Sequence, residues 1–143
     1  MEKYLQQQKT DLIKVVLFGP ESTGKTSLAI ELAKHFKTVY VKEFAREFLE
    51  KKLAEQNKIC EIHDLIPIAI GQMRSENELI KKANEVLFCD TDLLTTATYS
   101  RLYFDNFCDP IINKYSKKNK YDLYLLLDID VPWVQDDLRD RPN

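Results

Sequence analysis

A glycine-framed segment, Gly19-Pro-Glu-Ser-Thr-Gly-Lys-Thr26, decides most of what this chain can become. It follows a β-branched apolar run, Ile13-Lys-Val-Val-Leu-Phe18, the form of a strand covered on both faces. Behind it, Leu28, Ala29, Leu32, Ala33 and Phe36 recur at helical spacing. The protein has only three glycines in 143 residues, and Gly19 and Gly24 are two of them. Glycine is used where backbone must bend or approach something closely. Strand, Gly-x-x-x-x-Gly-Lys-Thr, helix is the phosphate-loop arrangement. Backbone N–H groups and the helix N-terminus receive phosphate oxygens, Lys25 reaches the β and γ phosphates, and the Thr26 hydroxyl serves Mg²⁺. Gly19, Ser22, Thr23, Gly24, Lys25, Thr26 and Ser27 are the nucleotide-binding candidates. Glu21 occupies a variable position and should point away from the phosphates.

The rest of the chain alternates strand and helix patterns. Thr38-Val-Tyr-Val41 reads as a second strand, Glu43 to Leu53 as a helix, and Ile66 to Ala83 as a longer helix with Pro67 in its first turn. Glu85-Val-Leu-Phe-Cys89 is a third strand, ending at Asp90-Thr-Asp92. Helical spacing returns over Leu93 to Phe104 and near Ile111 to Tyr115. Asp122-Leu-Tyr-Leu-Leu-Leu127 is a fourth strand ending at Asp128, and a short helix starts near Pro132. Alternation of this kind predicts an α/β fold, a parallel sheet with helices on both faces in three layers. Ligands of such sheets sit beyond the carboxyl ends of the strands. Those ends carry Gly19, Glu43, Asp90 and Asp128, the turn and acidic residues that a phosphate-and-metal site needs. The length is that of one domain, residues 1–143, with a polar lead-in over 1–11.

Composition removes other classes. Lys and Arg number 21 against 23 Asp and Glu, so neither a basic nucleic-acid binder nor a polybasic membrane anchor is expected. No apolar run reaches the length of a membrane span, and the polar N-terminus is not a secretory signal. Cys60, Cys89 and Cys108 have no paired spacing, which suits a reducing cytoplasm.

Other phosphate-loop activities fit less well. A GTPase carries DxxG; here Gly71 is the only glycine after the loop, and position 68 is Ile. Asn119-Lys-Tyr-Asp122 matches NKxD but precedes its strand, so it reads as a polar turn. Motor and AAA-type ATPases place Glu after the strand-end Asp to polarise water. Here Thr91 follows Asp90 and Ile129 follows Asp128. Transfer to a substrate hydroxyl is favoured over hydrolysis.

Five segments in order, Gly19 to Thr26, Glu43-Phe-Ala-Arg46, Phe88-Cys-Asp-Thr-Asp-Leu-Leu-Thr-Thr96, Tyr121-Asp-Leu with Pro132-Trp-Val, and Asp137-Leu-Arg139, resemble the ribosylnicotinamide kinase domain of the bacterial bifunctional NAD-salvage family. The resemblance runs from about Leu12 to Arg139. It implies a P-loop kinase fold of the nucleoside and nucleotide kinase type. The implied activity is ATP- and Mg²⁺-dependent phosphorylation of the 5′-hydroxyl of nicotinamide riboside, giving nicotinamide mononucleotide. The bifunctional members carry an adenylyltransferase domain in front, which is expected to be missing here. The family also continues beyond its lid arginines, so the lid, about 133–143, and the last strand are expected to be truncated.

The resemblance implies roles for residues. A carboxylate at Glu43 accepts the acceptor hydroxyl proton; the alternative is a helix-start Glu favoured by the macrodipole. Arg46 holds a substrate phosphate or ribose, or pairs with Glu43. Asp90 is the Mg²⁺-orienting carboxylate, or itself the base with Glu43 positioning. Asp92 binds ribose hydroxyls or caps the next helix. Arg139, catalytic, and Arg141, nucleotide-binding, belong to the lid. Tyr99, Tyr103 and Trp133 are candidates to stack on the pyridinium cation of the substrate, though aromatics at helical spacing also serve as core. Gln72 could read an amide on the substrate. Two other functions remain open: kinase of another nucleoside, and a non-catalytic ATP-binding regulatory module.

Overall fold

In a computed structural model, residues 2–20 and 24–127 are described. The strands are β1 (Ile13–Phe18), β2 (Tyr40–Val41), β3 (Val86–Asp90) and β4 (Leu123–Leu126). The helices are α1 (Lys25–His35), α2 (Phe44–Gln56), α3 (Leu65–Leu79), α4 (Leu93–Tyr103) and α5 (Pro110–Lys118). All strand pairs are parallel, in the order β2-β3-β1-β4. This is the α/β phosphate-loop architecture that the alternating pattern predicts. It places the β1 and β3 carboxyl ends side by side, with Leu17 opposite Asp90.

Side chains alternate between faces of a strand, and here each face has its own core. Val15, Leu17, Val86 and Phe88 pack with Ala29 and Ala33 of α1. Val16, Leu87 and Cys89 turn the other way, with Val41 and toward Leu79 and Ile80 at the end of α3. A further cluster joins α3, α4 and α5 through Leu65, Ala69, Met73, Leu93, Ala97, Ile112 and Tyr115.

Three features depart from the sequence pattern. The long helix ends at Leu79 rather than Ala83; the chain turns there, with Ala83 N–H donating to the Leu79 carbonyl, and re-enters the sheet at β3. The lead-in is polar in sequence yet anchored, because Leu5 is fully buried in the α3–α5 cluster and its carbonyl accepts from Asn119 Nδ2. Asn119 thus ties down the lead-in, while the Asp122 carboxylate accepts from Lys14 N at the start of β1. The NKxD match therefore lies at the end of the sheet away from the phosphate loop, as a turn.

Lys14 is the third departure. It sits in the middle of an apolar run and is buried, its ammonium 2.9 Å from Glu76 of α3. Tyr121 and Gln7 also donate to the Glu76 carboxylate, at 2.6 and 3.0 Å, and the Cys89 thiol lies 3.8 Å away. Every oxygen of that buried carboxylate is occupied, so the pair is compatible with the core. Burial and Glu76 push the Cys89 thiol well above its usual range, as befits an inert buried group. All cysteines are free. Among the described residues no helix is long and apolar enough to cross a membrane.

Candidate active site

Two glycines shape the phosphate loop, for different reasons. Gly24 has φ +80°, a left-handed conformation that side chains rarely adopt, and is the N-cap of α1. Gly19 is hemmed in by the residue that follows β4: a Cβ there would lie 2.6 Å from the Leu127 carbonyl oxygen. Ser22 and Thr23 lie outside the described residues. Gly24, Lys25, Thr26 and Ser27 remain, and with Pro20 and Arg46 they line a cavity of about 160 Å³ at the α1 N-terminus.

Lys25 is not a surface charge. It is 7% exposed and lies between two carboxylates, 2.9 Å from Glu43 Oε2 and 3.5 Å from Asp90 Oδ1. Sequence proximity to a solvent-facing loop suggests exposure; the strand-end carboxylates of β2 and β3 close over the ammonium instead. Glu43 is the N-cap residue of α2, but its side chain makes no cap hydrogen bond to its own helix. Arg46, an exposed residue one turn on, has its Nε 3.8 Å from Glu43 Oε1. The pairing alternative for Arg46 is the one this geometry displays.

Asp90 is almost fully buried. The Thr26 hydroxyl donates to its Oδ2 at 2.7 Å. Its Oδ1 is buried and accepts no hydrogen bond, having only the longer ion pair to Lys25. Burial raises the Asp90 carboxyl above its ordinary range, against the pull of Thr26 and Lys25. A buried, ion-paired carboxylate oxygen with no hydrogen bond, on a carboxylate held by Thr26 and Lys25 of the phosphate loop, is poised for a further cationic partner.

Thr91 has φ +81°, unusual for a β-branched side chain. It is buried, with its N–H on the Leu17 carbonyl at 3.2 Å. The reversal sends consecutive carboxylates to different tasks. Asp90 goes to the phosphate loop; Asp92 goes to α4, where its Oδ1 accepts from Thr95 N at 3.2 Å as a helix cap. Asp92 Oδ2 accepts from the Tyr124 hydroxyl at 2.7 Å. Burial raises Asp92 as well. The capping alternative for Asp92 is therefore realised.

Tyr99 and Tyr103 stack on each other with centroids 4.5 Å apart. Tyr99 packs against the α3–α5 cluster and Tyr103 is exposed; neither lines the phosphate-loop cavity. Trp133, Arg139 and Arg141 lie outside the described residues. The structure thus brings Lys25, Thr26, Glu43, Asp90 and Arg46 together and leaves the aromatic pair elsewhere. Thr91 and Tyr124 join the site's support without a sequence signal that selects them, and Gln72, expected as a possible reader of a substrate amide, bonds the protein backbone. Its Oε1 accepts from Phe44 N–H at 2.9 Å, beside Glu43.

A family model described as an AAA domain matches residues 14–143. The chain belongs to this family. Membership fixes the phosphate-loop domain, while the position after Asp90 remains Thr91 rather than the glutamate of hydrolytic AAA-type enzymes. The chain is homologous to the trifunctional NAD biosynthesis/regulator protein NadR. It is 33% identical to the proteins of that name from Salmonella typhimurium and Escherichia coli, over 128 residues and 87% of this chain. It spans 30% of the length of those relatives. A crystal structure of NadR protein in complex with NR superposes with TM-score 0.72 at 25% identity, over 87% of this chain and 35% of that one. Another, in complex with NAD and AMP-PNP, gives 0.71 at 26%, over 81% and 34%.

Proposed function

We propose that this AAA-family domain is a kinase that transfers the γ-phosphate of ATP to the 5′-hydroxyl of nicotinamide riboside, giving nicotinamide mononucleotide in NAD salvage. One observation carries the reading: Lys25, Thr26, Glu43 and Asp90 converge at the N-terminus of α1. The homology to NadR, and the NadR structures holding NR or AMP-PNP, support the acceptor and the donor.

The triphosphate lies over the phosphate loop, its oxygens on the N–H groups at the start of α1. Lys25 turns from Glu43 to the β and γ phosphates. Glu43, released from Lys25, takes the proton of the acceptor hydroxyl. The hydroxyl oxygen bonds to the γ phosphorus as the bond from that phosphorus to the β,γ-bridging oxygen breaks, and ADP leaves with the electron pair. Asp90 is the alternative base, but its contact with Thr26 and its open oxygen suit a metal better. Oxygen donors of this kind fit Mg²⁺, which Thr26 and Asp90 would hold, in part through its waters. When bound, Mg²⁺ neutralises charge on the β and γ phosphates. Arg46 would steady the acceptor ribose; Asp92 and Tyr124 would shape the floor near it. Arg139 and Arg141 would close on the phosphates, and Trp133 would stack on the pyridinium ring, with Tyr99 and Tyr103 as further aromatic candidates. The proposed setting is cytoplasmic, with a small-molecule nucleoside as the partner and neither nucleic acid nor membrane.

ADP release coupled to a nucleoside panel tests this. Nicotinamide riboside should be phosphorylated at least about tenfold better than uridine by kcat/KM. Equal use of uridine would make the chain a general nucleoside kinase; ATP binding without turnover on any acceptor would make it a regulatory module.

A further inference from the structure

We propose that Gln72, on α3, is the positioning residue for Glu43: it bonds the first N–H of α2 from outside that helix and so fixes the backbone that carries the Glu43 carboxylate into the active site. This rests on the reading of Glu43 as the proton acceptor.

A residue at a helix N-cap normally turns its side chain onto the N–H groups of its own first turn. Glu43 does not; its carboxylate goes to Lys25 at 2.9 Å. The first N–H of α2, on Phe44, has no partner within its own helix. Gln72 removes that problem from a different helix, its Oε1 accepting Phe44 N–H at 2.9 Å. Only the amide oxygen can accept, so this bond fixes the orientation of the side chain. The neighbouring residue completes the clamp. A Cβ at Gly71 would lie 2.2 Å from Phe44 Cε1, so the Phe44 ring rests directly on the α3 backbone. Phe44 is held at its N–H and at its ring, and Glu43 is the residue before it.

A second observation separates this from packing. Gln72 is 2% exposed, and its Nε2 is buried with no hydrogen-bond partner. An unsatisfied buried donor is destabilising. Leu or Met would fill the same volume without one, so packing alone does not call for an amide here. What those side chains lack is the acceptor for Phe44 N–H.

The test compares Gln72→Leu, Gln72→Glu and Glu43→Gln in nicotinamide riboside phosphorylation, with ADP affinity and Tm measured on each. Gln72→Leu should lower kcat about tenfold or more through misplacement of Glu43. Its ADP affinity and KM for ATP should stay as in the wild type, and its Tm should change little, since the orphan donor at Nε2 is exchanged for one at Phe44 N–H. Gln72→Glu keeps an acceptor for Phe44 N–H and should recover most of kcat. It should also move the acid limb of the kcat/KM profile to higher pH, because a second carboxylate beside Glu43 disfavours its charged form. A fall in kcat at constant KM and Tm that the glutamate restores is not what a purely structural role gives. Wild-type kcat in Gln72→Leu overturns the proposal, as does joint loss of Tm, ADP affinity and kcat. If Gln72→Leu does not fold, Gln72→Glu decides, and low kcat with an unmoved acid limb overturns the proposal. Turnover retained in Glu43→Gln overturns the base reading and this role with it. Turnover lost there but intact in Gln72→Leu overturns the positioning role alone.

Discussion

Lys14 and Lys25 are both buried lysines paired to carboxylates, one inside β1 and the other just beyond it. Their surroundings differ in one respect. Around Lys14, the Glu76 carboxylate is filled by Lys14, Gln7, Tyr121 and the Cys89 thiol. Around Lys25, Asp90 has an oxygen with no hydrogen bond, Glu43 does not cap its own helix, and a cavity opens alongside. A saturated buried ion pair has nothing left to offer a ligand. An unsaturated one at a helix N-terminus does. Residue type does not distinguish the clusters; the completeness of their hydrogen bonding does.

The sharpest way to break that contrast is to remove each lysine. Lys25→Ala should lower phosphoryl transfer by about a hundredfold or more, since it deletes charge stabilisation in the transition state. Its effect on stability should be smaller than at Lys14, because the Glu43 side chain is 17% exposed and water can replace the ammonium there. Normal turnover in a folded Lys25→Ala protein would end the kinase reading.

Lys14→Met should do the reverse. It leaves Glu76 charged in the core, at a cost of about 3–5 kcal/mol in urea unfolding. Lys14→Met with Glu76→Leu should regain part of that loss, because no unpaired charge then remains. A double variant less stable than the single one would mean that Glu76 is held by Tyr121 and Gln7 and not by the lysine.

The two lysines also measure what the sequence can tell. The strands are legible because short apolar runs mark them, β-branched in β1, and the phosphate loop because its glycines are scarce. Glu43 and Asp90 followed from standing at strand ends, and the structure puts both on Lys25. Lys14 was hidden, since one lysine inside Ile13–Phe18 does not disturb the apolar pattern of a strand. The sequence offers Gln72 as a possible reader of a substrate amide, but its bond to Phe44 crosses between helices and has no periodicity. The Asp92–Tyr124 contact was illegible for the same reason: it joins the start of α4 to β4. Helix ends were the weakest element, as at Leu79, where a turn rather than a propensity change stops the helix.

A third lysine cluster extends the comparison. Lys52 of α2 is buried and bonds to Asp64 and Glu61 ahead of α3. Glu61, His63 and Asp64 lie close enough together to suggest a metal site, but Lys52 already supplies the positive charge. This cluster should therefore behave like Lys14, as structure. Burial pushes the Asp64 carboxyl up, but the Lys52 bond and the Glu61 N–H outweigh it and leave the group below its ordinary value of 3.8. A lowered carboxyl stabilises the fold above its unfolded value and loses that contribution as pH falls through the lowered folded value. The Tm gap between wild type and Asp64→Asn should be full at neutral pH and shrink below about pH 4. Burial pulls Lys52 down, yet its carboxylates leave it raised, so the gap should persist into alkaline pH, to above the ordinary lysine value of 10.5. A gap that stays constant through the acid range would remove the ion pair from the account.

The smallest expected effect lies at Thr91, on the unsaturated side. A β-branched residue at φ +81° carries strain of about 1–2 kcal/mol. Glycine adopts that conformation freely, but it adds entropy to the unfolded chain, about 0.5–1 kcal/mol, and gives up the packing of a buried side chain. These opposing contributions nearly cancel, so Thr91→Gly should change unfolding stability by no more than about 1 kcal/mol. Thr91→Val keeps the branching and the strain but loses the hydroxyl, and should not be stabilised. Turnover should respond more than stability, because Thr91 sets the angle between Asp90 on the phosphate loop and Asp92 on α4. A several-fold fall in kcat with near-constant stability would show strain retained for orientation. A loss of more than about 2 kcal/mol with kcat unchanged would make Thr91 a packing residue and would confine the functional side of the comparison to the carboxylates themselves.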